Sequence, residues 1–224
     1  MLLYISMKII LYYFSIPFWR AEVSRISLFI NNIEFIDYRI SEDEYKKFKQ
    51  NGKLPNGMIA PFRQLPVLEV DNKIIAQTGA IARFCGKISG MYPIKDNFKA
   101  AKIDQIIEAA QDINYIISLS GRDKDPSRKL KARKRLSEIH LPKWFQFLEN
   151  LLIANQNSNW FVGNSMSIAD LAIWRLLGWI ISGKLEGVPK NILDNYDNLI
   201  LMRKEVSHHP KVKEWMIMKY GKKI

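Results

Sequence analysis

The chain has 224 residues, 48% of them hydrophobic, and its 34 lysines and arginines outnumber 22 aspartates and glutamates to give a formal net charge of +12. This length and apolar content can bury a core in one large or two small domains, and the charge attracts anions without selecting among them. The single cysteine, Cys85, excludes an internal disulfide, a thiol-pair redox site and a cysteine-rich zinc site, and it fits a reducing compartment.

The apolar N-terminus, "MLLYISMKIILYYFSI", has neither a basic leading region nor a small-residue cleavage site. Lys8 interrupts it well short of a membrane span. We therefore predict a first strand in "KIILYYF", residues 8–14, preceded by an extension, residues 1–6, for which no element is predicted. His140, His208 and His209 match no metal-binding spacing, so no metal site is predicted.

Strand and helix patterns alternate up to about Lys87. The apolar spacing and turn residues predict a helix in residues 20–32, a strand in 33–40, a short polar helix in 42–50, a hairpin of "VLEV" and "KIIAQ" around Asp71-Asn72, and a helix beginning at Gln77-Thr78. The order βαβ-α-ββα predicts a small mixed sheet with helices packed on it.

Only helical patterns follow Ile88. Residues 88–97 are predicted to form a linker, which separates a first domain of residues 1–87 from an all-helical domain of residues 98–224. Apolar stripes predict helices within 102–117 and 141–152, and Ser167 with Asp170 forms the pattern of a helix N-cap. The basic stretch "SRKLKARKRLSEIH", residues 127–140, favours a solvated helix start or loop, with an RNA or membrane contact as the alternative.

"PFRQLPVLEV" places Pro66 directly before an apolar strand. Proline has no N–H for a sheet ladder, so this position indicates either the opening of an edge strand or a cis-proline that turns backbone groups toward a ligand. These residues alone leave both interpretations open.

Four stretches, taken together and in this order, resemble the cytosolic glutathione transferases: "LYYF", "RAE", "RQLPVLEVDNKIIAQTGAIARF" and "FVGNSMSIADLAIW". The resemblance runs from about Met7 to Lys219 and is strongest to the tyrosine-type, sigma-like group that includes haematopoietic prostaglandin D synthase. It implies a thioredoxin-like N-terminal α/β domain and an all-α C-terminal domain that contributes the electrophile pocket.

The resemblance also implies a catalytic residue. Tyr13 stands where the family has the tyrosine that hydrogen-bonds the glutathione sulfur, and this favours the thiolate over a thiol whose free pKa is about 8.5. Arg20 matches an arginine close to that thiol. Tyr12 faces the other side of the strand, because side chains alternate. Ser15 is an alternative activator of the kind used by serine-type classes.

The remaining site residues are implied by the same resemblance, with glutathione as co-substrate and no tightly bound cofactor. A cis Pro66 presents the Leu65 backbone to the cysteinyl part, Gln77 and Thr78 hold the γ-glutamyl carboxylate, Tyr45 and Lys49 flank the glycyl end, Gln64 contacts the tripeptide, and Asp112 reaches the glutathione of a partner subunit. A helix N-terminus, as at Thr78, suits a carboxylate on physical grounds as well.

The chain departs from the family pattern at "SIPFWRAE", which replaces a shorter segment ending in Arg-Gly-Arg-Ala-Glu. We expect the loop from Ile16 to Trp19 to line a pocket for a small apolar electrophile, in a cytoplasmic homodimer with isomerase or peroxidase side activity. Ile16 replaces the cysteine of thiol-type relatives. Two alternatives remain: a non-catalytic ligand carrier, and an interaction module of a nucleic-acid complex.

Overall fold

The computed structural model describes residues 7–156 and 158–221, so the predicted extension, residues 1–6, lies outside the described residues. The N-terminal elements are β1 (Ile9–Tyr13), α1 (Trp19–Ile30), β2 (Ile36–Arg39), α2 (Glu42–Asn51), β3 (Val67–Val70), β4 (Lys73–Ala76) and α3 (Thr78–Ile88). This order confirms the predicted βαβ-α-ββα arrangement.

The strands form one mixed sheet in the order β2-β1-β3-β4. Strand β1 is parallel to β2 and antiparallel to β3, and β3 is antiparallel to β4. Asp71 and Asn72 form the predicted turn between β3 and β4 with φ of 46° and 63°, the positive values that a tight hairpin of this hand requires. All five residues of β1 are buried, as expected for a central strand.

The described residues of the C-terminal part form helices joined by loops and no strand. It contains α4 (Asn97–Ser120), α5 (Pro126–Arg135), a π-helical turn (Leu136–His140), α6 (Leu141–Ala154), α7 (Ile168–Ile180), α8 (Asp197–His208) and α9 (Pro210–Tyr220). Among the residues that the structure describes, no helix is both long and apolar enough to cross a membrane. The basic helix α5 buries none of its residues, which agrees with a solvated element.

Helix α7 lies at the centre of the helical part, and its start is fixed by the predicted cap. The Ser167 hydroxyl accepts a hydrogen bond from the Ala169 N–H, and the buried Asp170 carboxylate accepts hydrogen bonds from the Ser167 backbone and hydroxyl and from the Phe161 N–H. Burial raises the pKa of Asp170 to about 6, against the opposing effect of these bonds.

Helix α1 belongs to two hydrophobic cores. Ala21 and Leu28 pack with the sheet, whereas Trp19, Val23 and Ile26 pack with the C-terminal helices. The expectation that Trp19 lines an electrophile pocket is therefore wrong. Its side chain is fully buried, because the helix begins at Trp19 and turns the indole inward.

A buried ionic network joins α1 to α9 and to β2. Arg25 Nη1 lies 2.8 Å from Glu22 Oε1, and Arg25 Nε lies 2.7 Å from Asp37 Oδ1. Glu22 also accepts hydrogen bonds from Trp215 Nε1 at 2.9 Å and from the Tyr220 hydroxyl at 2.6 Å. Both carboxylate oxygens of Glu22 thus accept hydrogen bonds, which offsets the cost of burying its charge.

We expect Glu22→Gln to destabilise the protein by about 3–5 kcal/mol, because the buried Arg25 charge keeps only one of its two carboxylate partners, Asp37. An amide also turns an NH2 group toward Arg25 or Trp215, both of which are donors. Urea denaturation measures this loss. Glu34→Gln is the matched control. Because Glu34 is exposed, this substitution changes the free energy of unfolding by less than about 0.5 kcal/mol. Equal stability of the two variants would contradict a structural role for the network.

Candidate functional site

A pocket of about 170 Å³ lies where the end of the β3–β4 hairpin meets the start of α3. Its lining comprises Arg20, Phe62, Gln64, Leu65, Pro66, Ala76, Gln77 and Thr78. Six of the ten predicted site residues are therefore brought together, although they come from α1, from the loop before β3 and from α3.

The start of α3 has the features of an anion-binding helix N-terminus. Gln77 occupies the N-cap position, but its side chain does not bond to the helix, so the first N–H groups of α3 have no side-chain cap. Uncapped N–H groups and the positive end of the helix dipole stabilise a carboxylate. Thr78 is buried at this end, where its hydroxyl is the first polar side chain of the helix.

Gln77 has an unusual backbone, with φ of 76° and ψ of 126°. Positive φ is unfavourable for a residue with a side chain and costs about 1–3 kcal/mol where it is retained. Such conformations occur in turns, as at Asp71-Asn72, and also cluster at ligand sites. Because Gln77 lines the pocket, its conformation agrees with a ligand site at this corner.

The loop before β3 presents free backbone groups to the same pocket. The Leu65–Pro66 peptide bond is cis, as in the family that the sequence resembles. Leu65 makes no hydrogen bond to another backbone group within residues 7–156 and 158–221. Because backbone N–H and C=O groups need partners, those of Leu65 suit the backbone of an extended peptide ligand.

Tyr13 is the last residue of β1, and its side chain is buried. Burial raises the pKa of Tyr13 to about 12, although the nearby Arg20 and Arg25 favour the phenolate. The Arg25 guanidinium lies 5.7 Å from the centre of the Tyr13 ring. At neutral pH Tyr13 therefore keeps its proton and is a hydrogen-bond donor.

Tyr12 and Ser15, which compete with Tyr13 on sequence grounds, both have other partners. The Tyr12 hydroxyl donates to Glu69 Oε2 at 2.8 Å within the sheet. Ser15 is exposed, and its hydroxyl accepts a hydrogen bond from Arg39 at 3.3 Å. Tyr13, like Tyr12 and Ser15, is not among the residues that line the 170 Å³ pocket.

Tyr45 and Lys49 lie on α2, near the pocket but outside its lining. The Tyr45 ring packs edge-on against Phe14 at 4.8 Å, and Phe14 packs in turn against Tyr13 at 5.2 Å. Lys49 Nζ donates to the Arg63 carbonyl at 3.2 Å, which ties α2 to the loop that carries Gln64. Tyr45 is therefore linked to Tyr13 through Phe14, and Lys49 is linked to the loop that carries Gln64 through Arg63.

Asp112 lies apart from the other predicted residues. It is exposed on α4 and does not line the pocket within this chain. Its predicted role toward a partner subunit stays a prediction.

Two residues at or beside the site were not predicted from the sequence. Phe62 is 56% exposed yet lines the pocket, and no sequence pattern distinguishes it from other loop residues. Arg25 donates to the Phe14 carbonyl at 3.1 Å and to the Ile16 carbonyl at 3.4 Å, so it holds the loop that follows Tyr13. The Glu22–Arg25 spacing within an apolar helix was the available signal for a buried ion pair.

The comparisons with known proteins agree with this geometry. Residues 10–86 match the family model for the glutathione S-transferase N-terminal domain, and residues 111–218 match the model for the glutathione S-transferase C-terminal domain. The chain therefore belongs to the glutathione S-transferase family, which confirms the resemblance and the expectation of an enzyme.

Individual relatives cover most of the chain. A glutathione S-transferase of Plasmodium yoelii yoelii is 29% identical over 88% of this chain and 88% of its own. The structure of prostaglandin synthase D of Nilaparvata lugens has a TM-score of 0.79 at 25% identity, covering 93% of this chain and 96% of its own. Monomeric Na-GST-3, a glutathione S-transferase of Necator americanus, has a TM-score of 0.75 at 28% identity, covering 97% of this chain and 100% of its own.

We expect Gln77→Gly to leave stability unchanged or to raise it by about 1 kcal/mol, because glycine relieves the positive φ at the cost of its greater unfolded-state entropy. Thermal unfolding measures the change. Gln64→Gly is the matched control: the φ of Gln64 is not positive, so this variant loses about 0.5–1 kcal/mol. Equal losses in both variants would show that Gln77 carries no backbone strain.

Proposed function

We propose that this enzyme adds the thiolate of glutathione to an apolar electrophile. Membership of the glutathione S-transferase family supports glutathione transfer. The observation that carries the proposal is the pocket in which an uncapped helix start and an unpaired Leu65 backbone lie side by side. That combination suits a short extended peptide with a carboxylate at one end.

In this proposal the γ-glutamyl carboxylate of glutathione binds at the N-terminus of α3, beside Gln77 and Thr78. The cysteinyl backbone pairs with Leu65, and Gln64 contacts the tripeptide nearby. The glycyl end extends toward α2, where Tyr45 and Lys49 border the site. Arg20, which also lines the pocket, adds positive charge near the sulfur in this proposal.

Tyr13 acts in this scheme as a neutral donor to the sulfur. Because its pKa is raised to about 12, the phenol stays protonated throughout the range in which the thiol ionises. A hydrogen bond that lowers the thiol pKa by about two units contributes roughly 2.7 kcal/mol. The thiol proton passes to solvent, and the sulfur then forms a bond to the electrophilic carbon while that carbon releases its leaving group or accepts the electrons into an adjacent acceptor.

The second substrate is proposed to bind beside the loop that follows β1. Of this loop, Ile16 is 45% exposed and offers an apolar surface, whereas Trp19 is buried. Two arginines hold this loop. Arg25 donates a hydrogen bond to the Ile16 carbonyl, and Arg175 Nε donates one to the Pro17 carbonyl at 2.8 Å. The same thiolate supports isomerase or peroxidase side reactions, and one structural relative is named a prostaglandin synthase.

A cytoplasmic homodimer in which Asp112 reaches the partner's glutathione completes the proposal. One structural relative is described as monomeric, so the oligomeric state needs its own measurement. If this chain sediments as a dimer and Asp112→Ala weakens glutathione binding without changing the sedimentation coefficient, the proposed role of Asp112 is supported. A monomer that binds glutathione normally would contradict it.

We expect Tyr13→Phe to raise the pKa of the bound glutathione thiol by about two units, toward the free value near 8.5, and to lower kcat/KM at neutral pH by roughly tenfold to a hundredfold. The pKa is read from a pH titration of the thiolate absorbance of bound glutathione. The affinity for glutathione changes little, because Tyr13 contacts only the sulfur.

Ser15→Ala is the matched control and leaves the thiol pKa unchanged, because Ser15 is exposed and bonded to Arg39. A low thiol pKa that survives Tyr13→Phe but not Ser15→Ala would move the role to Ser15. Binding of glutathione with an unshifted thiol in the unmodified protein would favour a non-catalytic carrier.

A further inference from the structure

Residues 122–135 carry a large share of the chain's positive charge. This segment comprises most of the loop before α5 and α5 itself, and it has eight lysines and arginines against two aspartates. Its net charge of +6 is therefore half of the +12 of the whole chain. Like charges at this density repel one another, and an anionic partner relieves that repulsion.

The two aspartates of this segment are engaged at the start of the helix. Asp125 is the N-cap of α5, and its carboxylate accepts hydrogen bonds from the N–H groups of Ser127 and Arg128. The Asp123 carboxylate accepts a hydrogen bond from the Asp125 N–H at 3.0 Å. Both acidic groups thus lie at the N-terminal end, and the following turns of α5 stay cationic.

The cations of these turns are turned toward solvent. Lys131 and Arg135 form no ion pair within residues 7–156 and 158–221, and Lys134 lies 3.9 Å from Glu138 in an exposed pair of the kind that contributes little to stability. With the loop before the helix, the segment exposes six cations: Arg122, Lys124, Arg128, Lys131, Lys134 and Arg135.

An apolar side chain lies among these cations. Leu130 is 58% exposed although it belongs to a regular helix. It precedes Arg133 by three positions and so lies on the same side of α5. Arg133 Nη1 donates to the Ile117 carbonyl at the end of α4 at 3.3 Å, so this side of α5 faces the end of α4.

The end of α4 adds further apolar surface. Tyr115 and Leu119 are one helical turn apart, and they are 56% and 42% exposed. The Arg122 guanidinium lies 5.8 Å from the centre of the Tyr115 ring. We call α5 together with this end of α4 the α4–α5 surface. It combines aliphatic groups and a tyrosine with long cationic side chains, the composition of surfaces that lie in a membrane interface.

We propose that the α4–α5 surface binds the face of an anionic lipid bilayer. The anionic headgroups pair with the exposed cations, while Tyr115, Leu119 and Leu130 enter the boundary between headgroups and acyl chains. A single-stranded RNA would need aromatic side chains on which its bases stack, and α5 has none. None of these residues lines the pocket near α3, so this surface is separate from the proposed glutathione site.

The test is sedimentation of the full chain with vesicles of phosphatidylcholine alone and with vesicles in which about one third of the lipid is phosphatidylserine. We expect binding to the second kind only, weakening as salt is added, because salt screens exposed charges. The triple variant Lys131→Gln, Lys134→Gln and Arg135→Gln binds about a hundredfold more weakly, roughly fivefold for each charge. Leu130→Gln keeps the net charge and weakens binding by about fivefold to tenfold.

The matched control is the triple variant Lys73→Gln, Lys204→Gln and Lys213→Gln. It removes the same net charge from exposed positions outside the α4–α5 surface, so we expect vesicle binding to change by less than about twofold. Thermal unfolding is measured for every variant. Because all the substituted residues are exposed, we expect the unfolding temperatures to match that of the unmodified chain, and a loss of binding is then not a loss of fold.

Three results would overturn the proposal: no binding to either kind of vesicle, equal binding to both kinds, or equal losses in the two triple variants. A single-stranded RNA oligonucleotide is titrated in parallel. If the chain binds this RNA but no vesicle, and Leu130→Gln leaves RNA binding unchanged, the surface recognises nucleic acid and the membrane proposal is wrong.

Discussion

The fold depends on one buried cation. The Arg25 guanidinium binds Glu22 on its own helix, Asp37 on β2 and two carbonyl oxygens of the loop after β1, so a single side chain connects three parts of the chain. Burying a charge is costly unless nearly every hydrogen-bonding position is used. Arg25 meets that condition, so its buried side chain can connect the sheet to the helices.

The Arg25 side chain also organises the candidate site. By holding the loop after β1, Arg25 positions the end of the strand that carries Tyr13, while α1 carries Arg20 into the pocket. The starts of α1 and α3 both lie at this end of the sheet, where their unpaired N–H groups make the environment electropositive. In the proposed complex, this backbone environment favours an anionic peptide and an ionised sulfur, as the side chains do.

Much of this could be predicted from the sequence, because local patterns determine it. The alternation of strands and helices, the Asp71-Asn72 turn and the Ser167–Asp170 cap depend on residues a few positions apart. The buried position of Trp19, the contacts of Arg25 with β2 and α9, and the pocket contact of Phe62 depend on residues farther apart in the chain, which no local pattern records. The role proposed for Asp112 involves a second subunit, so no pattern within one chain records it.

Cys85 has a consequence for how the protein survives its own chemistry. It is the only cysteine, it is fully buried on α3, and burial raises the pKa of its thiol to about 12. The described surface consequently offers no thiolate to alkylating compounds or to disulfide exchange. Modification of this thiol therefore requires an opening of the fold that exposes Cys85, so the rate of that opening limits it.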